Sequence, residues 1–200
     1  VPDFTPFLQR VKDEKPDCFY VFIPSGAHAA GVVKSYGELG LRQAGIKLIG
    51  PMDVVPDNKL QDMGDAAVGT IVMGHYAADL DNPANKAFVK EWYETYKADT
   101  APDFMSAAGW DTMAAIFDVI KKLNGKLDDG DKVIATLKSF STNGPRGEVK
   151  VDPETRDVVE DERAEEVYRK PDGKLGIKVL GVIPQVKDEC KVLKLGRCGQ

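Results

Sequence analysis

The sequence has few of the residues and motifs on which catalysis, metal binding or membrane insertion depends. Its 200 residues include only two histidines, His28 and His75, and neither lies at a metal-ligand spacing. It has no G-x-S-x-G elbow, no G-x-x-x-x-G-K-[ST] phosphate loop and no G-x-G-x-x-G motif after a strand. No run of about 18 apolar residues occurs. These absences argue against a metalloenzyme, a nucleotide-dependent enzyme and a membrane-spanning helix.

Positive charge in excess is also missing. The formal net charge is −5, and basic and acidic residues are interspersed, so no basic face indicates nucleic acid or an anionic membrane. We interpret the acidic run Glu160-Asp161-Glu162 as solvated surface. The apolar content of 42% is typical of a globular chain with one sizeable core or two small ones.

Cysteine is scarce, with three residues in the chain. Cys18 lies inside an apolar segment, and we expect it to be buried as a small hydrophobic residue. Cys190 and Cys198 are close in sequence, and the spacing favours a disulfide in an oxidising compartment, with two reduced thiols as the alternative. The chain begins at Val1 with no signal peptide, and we expect it to be a processed or excised part of a longer protein.

The first quarter of the chain predicts a helix, a strand, a second helix and a second strand, over residues 3–51. The apolar run of residues 18–24 is typical of a strand covered on both faces of a parallel sheet, and it ends at Ser25-Gly26. Open α/β sheets bind ligands at the carboxyl ends of their strands. The sequence therefore predicts an α/β fold whose ligand site includes this polar turn.

The rest of the chain predicts more α/β structure and then antiparallel strands. Turn residues separate the predicted elements, and a Pro-Asp-Gly hairpin signal divides the last two strands. We expect the aromatic stripe Phe88, Trp92 and Tyr96 to belong to the core. The predicted elements are a strand over 66–74, a helix from Asp81-Asn82-Pro83, a long helix ended by Asn124-Gly125, a helix capped by Asp131, and a hairpin turn at 171–173.

Ser25 and His28 allow two interpretations. A serine near a histidine suggests a nucleophile with its base, but both residues fall in one predicted turn with no third group to orient the imidazole. The interpretation that we favour is a turn whose hydroxyl and backbone N–H groups contact a ligand at a helix N-terminus.

Several ordered blocks resemble one known family. They are residues 3–41, Gly50-Pro51, residues 64–96 and residues 107–120, and together they are similar to the C-terminal half of a type I periplasmic substrate-binding protein of the Leu/Ile/Val-binding subfamily, which serves ABC importers. The resemblance implies two α/β lobes with flanking helices that close on a small ligand, here present as an incomplete fragment. It places residues 1–72 and about 160–200 in the second lobe and about 75–145 in the first.

The resemblance also implies the ligand contacts. They are Ser25, Gly26, Ala27 and His28 after the first strand, Met52 and Asp53 after the second, Tyr76 near the hinge, and Phe104 and Met105 at the long helix. Amino-acid-binding relatives have an acidic residue directly after Gly50-Pro51, where this chain has Met52. Either Asp53 takes that role one position later, or the ligand has no ammonium group.

The expected function is that of an extracytoplasmic solute-binding component that captures a branched-chain amino acid, an aromatic carboxylate or a small amide. We expect no catalysis, metal or cofactor, and we expect a membrane permease as partner of the full-length protein. A ligand-sensing domain of a receptor or regulator is the alternative, and a hydrolase or transferase is disfavoured by the missing motifs. The isolated fragment is expected to self-associate through uncovered sheet edges.

Overall fold

The computed structural model describes residues 2–196, which fold into helices packed on a mixed sheet. Helices and strands alternate as far as β3, three helices follow, and antiparallel strands complete the fold, which is the α/β order predicted from the sequence. The helices are α1 (Thr5–Glu14), α2 (Ala27–Glu38), α3 (Asp57–Met63), α4 (Pro83–Tyr96), α5 (Phe104–Lys122), α6 (Gly130–Leu137) and α7 (Glu189–Val192). The strands are β1 (Cys18–Tyr20), β2 (Lys47–Pro51), β3 (Ile71–Gly74), β4 (Ser141–Gly144), β5 (Gly147–Val151), β6 (Val158–Arg169) and β7 (Leu175–Val186).

The sheet is parallel at one end and antiparallel at the other. Strands β1, β2 and β3 are parallel neighbours, with Phe19 opposite Leu48 and Gly50 opposite Val72. Strand β6 then runs antiparallel to β3, and β7 pairs with β6 through the predicted hairpin. The first residues of β6 also pair with β5, so this strand joins the β4–β5 hairpin to the main sheet.

Strand β1 differs from the prediction in length and burial. Only Cys18–Tyr20 is strand, Cys18 is exposed, and Phe22 is 78% exposed. The expectation that Cys18 is buried is therefore wrong. The reason is position, because β1 is the edge of the described sheet, so one side of this apolar segment has no neighbouring strand.

The caps of the middle helices follow the predicted chemistry with one correction. Asn82 caps α4 by accepting a hydrogen bond from the Asn85 N–H at 2.8 Å, and Asp103 caps α5 through the Ser106 N–H. Asp129, and not Asp131, caps α6. Asp131 instead lies in the first turn, where its charge still favours the positive end of the helix dipole.

Buried apolar side chains form one main cluster and a smaller group outside it. The main cluster joins α1, α2, α3, β2, β3, the start of α5 and the β6–β7 hairpin, with Leu8, Val33 and Val72 among its members. Val119 on α5 and Val149 on β5 are buried but lie outside that cluster. The β4–β5 hairpin and the far end of α5 therefore have buried residues that do not belong to the main cluster.

Residues 2–196 contain neither a membrane-spanning helix nor a metal-binding cluster. No helix in that range has the length and apolar character needed to cross a membrane. Within the same residues, His, Cys, Asp and Glu side chains nowhere gather in groups of three or more that could hold a metal ion.

Cys190 lies in α7, whereas Cys198 is outside the described residues, so their pairing stays a prediction.

Candidate ligand-binding site

The turn after β1 begins the candidate site. Gly26 has φ +101°, a conformation that L side chains rarely adopt, and α2 starts at the next residue. Ala27 and His28 are exposed in the first turn of α2, where backbone N–H groups have no partner within the helix. The predicted arrangement of a polar turn leading into a helix N-terminus is confirmed.

Ser25 meets Asp53 between the ends of β1 and β2. The Ser25 hydroxyl lies 3.2 Å from the Asp53 carbonyl oxygen and 3.3 Å from Asp53 Oδ1. Asp53 is in a 3-10 turn, Met52–Val54, that directly follows β2. The structure therefore brings together two candidates that are 28 residues apart in the chain.

Met52 extends this row of candidate residues, which lies along the carboxyl ends of the parallel strands, toward β3. Its side chain packs on Gly74, the last residue of β3, so closely that a Cβ at position 74 would lie 2.8 Å from Met52 Cβ and Sδ. Glycine at position 74 is therefore required by this contact. The apolar Met52 side chain lies between the ends of β2 and β3, where the resemblance placed a ligand contact.

His75 and Phe104 complete the row. His75 directly follows β3, and its ring meets Phe104 edge to face at 6.1 Å between centroids. Phe104 is the first residue of α5, and Met105 beside it is 62% exposed. The carboxyl ends of three parallel strands thus carry Ser25, Met52 with Asp53, and His75 in succession.

Tyr76 lies in the core. It is 1% exposed and packs edge to face on Phe88 at 6.4 Å. Burial raises the pKa of its hydroxyl, and nearby carboxylates such as Asp57 add to that effect. Its role as a ligand contact stays a prediction.

A buried ionic network lies beside His75. Arg146, in the turn between β4 and β5, is 6% exposed and donates from Nε to Asp111 Oδ2 on α5 at 2.5 Å. Arg146 Nη1 lies 2.5 Å from Glu160 Oε2 on β6, as a close ion pair without hydrogen-bond alignment, and 2.9 Å from His75 Nδ1. One guanidinium therefore connects four separate segments of the chain.

Arg163 on β6 reinforces the network from the backbone side. Its guanidinium donates to the carbonyl oxygens of His75 and Asp161 at 2.9 Å and to that of Arg146 at 3.0 Å. Glu160, expected to be solvated, has a side chain that is only 13% exposed. That expectation is wrong for Glu160 because the buried Arg146 guanidinium, from the turn between β4 and β5, lies directly against its carboxylate.

Burial dominates the electrostatics of this region. It raises the pKa of Glu160 to about 7 despite the neighbouring Arg146, and it raises the pKa of Asp111 as well. Burial, with the positive charges of Arg146 and Arg163, lowers the pKa of His75 to about 3. The imidazole is therefore neutral at physiological pH.

Local sequence patterns did not predict the Arg146 network. Its members come from positions 75, 111, 146, 160 and 163, and no local spacing relates them. The Pro-Arg-Gly turn shows only that a cation lies just before β5, and it does not indicate that this cation is buried. In β6 the charged residues are consecutive from Glu160 to Arg163, so the sequence does not show which of them face the interior.

A separate apolar groove of about 730 Å³ lies between α4, α5 and β4. Trp110 and Phe117 line it and are 38% and 52% exposed. Trp92 and Tyr96 also line the groove, and Tyr96 is 67% exposed, so the predicted core stripe of α4 is only partly buried. Within residues 2–196, nothing covers the outer end of that stripe.

Comparison with known proteins gives the family. A family model described as "Periplasmic binding protein" matches residues 1–167. The chain belongs to the periplasmic binding protein family. This is a family of binding proteins and not of enzymes, and the site is accordingly interpreted through ligand capture.

Similar proteins of the periplasmic binding protein family include curated and solved examples. The Leu/Ile/Val-binding protein homolog 6 of Brucella melitensis is 33% identical over 171 residues, which are 86% of this chain and 44% of that protein. A solute-binding protein of an ABC transporter from Rhodopseudomonas palustris BisB5, solved with 3,4-dihydroxybenzoic acid, is 40% identical with a TM-score of 0.89. The match covers 95% of this chain and 51% of the solved chain.

A second solved solute-binding protein, from Rhodopseudomonas palustris HaA2, was crystallised with p-hydroxybenzoic acid. It is 35% identical with a TM-score of 0.85, and the match covers 94% of this chain and 50% of the solved chain. The chain thus spans about half the length of the relatives that it matches. The type I fold predicted from the sequence is confirmed by these neighbours.

Proposed function

We propose that this chain is the ligand-gripping part of an extracytoplasmic solute-binding protein of an ABC importer, and that its ligand is a small aromatic carboxylate. The row at the strand ends supports this proposal, because Ser25 and His75 supply polar groups beside the apolar Met52 side chain. Solute-binding proteins that are 35% to 40% identical over this half hold hydroxylated benzoic acids.

The position after Gly50-Pro51 favours a ligand without an ammonium group. Met52 occupies the slot that is acidic in amino-acid-binding relatives, and it packs against Gly74. The Asp53 carboxylate already has a partner in the Ser25 hydroxyl. An aromatic ring suits the thioether of Met52 better than a charged amine would.

Capture follows from closure of two lobes around the ligand. In this proposal residues 1–72 and about 160–200 form one lobe and about 75–145 belong to the other. The division is supported by Val119 and Val149, which are buried outside the main cluster, and by β6, which passes from the β4–β5 hairpin into the main sheet. Closure would bring contacts from both lobes onto the ligand and supply the binding energy.

A thermal-shift panel on the full protein that contains this sequence tests the proposal. The probes are 4-hydroxybenzoate, leucine and benzamide, since a ligand that binds only the native state stabilises it, by about 2.7 kcal/mol at 100 times its Kd. We expect 4-hydroxybenzoate to raise Tm and the other two to leave it unchanged. A rise with leucine alone would refute the aromatic-acid assignment.

Asp53→Asn provides the matched variant. If the ligand lacks an ammonium group, 4-hydroxybenzoate affinity should stay within about twofold, since the amide keeps an acceptor for Ser25. If Asp53 pairs with an ammonium group, affinity for an amino acid should fall by about 2 to 5 kcal/mol. Isothermal titration calorimetry separates the two results.

A further inference from the structure

The hydrogen-bonding state of His75 is fixed by Arg146. Arg146 Nη1 lies 2.9 Å from His75 Nδ1, and a guanidinium has N–H donors and no acceptor. Nδ1 must therefore present its lone pair to Arg146. In a neutral imidazole the proton then resides on Nε2, which becomes a donor.

The surroundings keep this imidazole neutral. Arg146 contacts the ring, Arg163 donates to the His75 carbonyl oxygen, and both positive charges oppose protonation. The nearest carboxylate, Glu160, has Oε2 at 3.9 Å from Nδ1 and is itself engaged by Arg146. Burial acts in the same direction, so the pKa of His75 is lowered to about 3.

The Nε2 donor has no partner among residues 2–196. The His75 hydrogen bonds in that range use Nδ1 and the backbone carbonyl oxygen. Nε2 is not among the side-chain atoms that are both shut off from water and unpartnered, and the side chain is 15% exposed. The Phe104 ring and the imidazole meet edge to face. An oriented donor with access to solvent thus remains at the carboxyl end of β3.

The charges around His75 determine which ligand group can accept a hydrogen bond from Nε2. The network holds two cations and four acidic side chains, so it has no spare positive charge for a ligand carboxylate. Its members are Arg146, Arg163, Asp111, Glu160, Asp161 and Glu162. A ligand carboxylate would therefore find no unpaired cation here, whereas an uncharged oxygen needs only a hydrogen-bond donor.

We propose that His75 Nε2–H is a preset donor to an uncharged oxygen of the ligand, the phenolic hydroxyl of a hydroxylated aromatic acid, and that it selects such acids over unsubstituted ones. The inference rests on the proposed function and assigns His75 as the residue that recognises the hydroxyl. Arg146 is then a positioning residue, because it holds the tautomer without touching the ligand.

Calorimetry with two acids and two variants tests the assignment in the full protein that contains this sequence. His75→Asn keeps an acceptor near Nδ1 for Arg146 but has no atom at Nε2, whereas His75→Gln can place an amide N–H near the Nε2 position. We expect His75→Asn to weaken 4-hydroxybenzoate about five- to tenfold and benzoate less than twofold, and His75→Gln to restore most of the difference. Equal losses for both acids, or no loss for either, would overturn the proposal.

Nitrogen NMR of the imidazole gives a readout that is independent of affinity. With 15N-histidine labelling, the signal absent from the His75→Gln spectrum belongs to His75, and we expect a proton on Nε2 at pH 7, slowed in exchange on addition of 4-hydroxybenzoate. A proton on Nδ1 refutes the inference whatever the protein binds. A wild type that binds leucine but neither acid refutes the proposed function as well, and so the two failures are distinguishable.

Discussion

Arg146 Nε lies 2.5 Å from Asp111 Oδ2, and both side chains are almost completely buried. Removing one partner of such a pair leaves an uncompensated charge in the interior, which costs far more than the net value of the pair. The same guanidinium also faces Glu160 and His75, so its loss would affect four segments at once.

Arg146→Met should therefore lower the free energy of unfolding by about 3 to 5 kcal/mol. Adding Glu160→Gln should recover part of that loss, because it removes one of the two carboxylates left without a cation. Urea denaturation measures both values, and Arg10→Met on the exposed face of α1 is the matched control, expected within about 0.5 kcal/mol of wild type. A cost below about 1 kcal/mol for Arg146→Met would contradict the assigned role.

Glu165→Gln should stabilise the protein at neutral pH. Glu165 is 0% exposed on β6, both of its carboxyl oxygens lack a partner within residues 2–196, and burial raises its pKa from 4.5 to about 8. Between those values the folded state holds a proton that the unfolded state has released, so stability falls as pH rises. The glutamine variant should gain up to about 3 kcal/mol at pH 7 and nothing at pH 4.

Asp57 contributes a pH dependence of the same sign, since burial raises its pKa to about 7. His75 acts oppositely. Its pKa is about 3 in the folded state, below the ordinary value of 6.5, so the free energy of unfolding grows as pH rises from 3 to 6.5.

Glu166→Gln is the control for Glu165→Gln, because Glu166 pairs with Lys178 at 2.8 Å near the surface and its loss should cost at most about 1 kcal/mol. A pH-independent effect of Glu165→Gln would show that its carboxyl does not titrate as assigned.

The isolated 200-residue chain should self-associate at high concentration. Its apolar groove between α4 and α5 is uncovered within residues 2–196, and β1 is a sheet edge with Tyr20 61% exposed. Size-exclusion chromatography with light scattering over a concentration series should show a rising mass. Phe117→Lys should suppress it, whereas Thr112→Lys on the opposite face of the same helix should not. A monomer at every concentration would exclude this behaviour.

Cys190 and Cys198 should be joined under oxidising conditions. Cys18 is exposed and unpaired, so it serves as an internal control for thiol reagents. Alkylation without reductant should modify Cys18 alone, and alkylation after reduction should modify all three cysteines, as read by intact mass. Modification of three thiols in the native, oxidised protein would eliminate the disulfide.

Local sequence patterns were enough to predict the order of the elements and one end of the site. Apolar periodicity and capping residues such as Asn82 act over a few neighbours, so they can be read locally, and Ser25 followed directly from a polar turn after an apolar strand. The pairing of Ser25 with Asp53 was not readable in that way, although both had been named as candidates.

The partners of His75 and the burial at the sheet edge depend on contacts between segments that are far apart in the sequence. Arg146 reaches His75 across 71 residues, and nothing local in the Pro-Arg-Gly turn distinguishes a buried cation from an exposed one. Cys18 and Phe22 looked like core because their segment is apolar, yet burial depends on a neighbouring strand that the segment cannot specify. Local free energies choose helix or strand, whereas desolvation and charge pairing depend on which distant segments pack together.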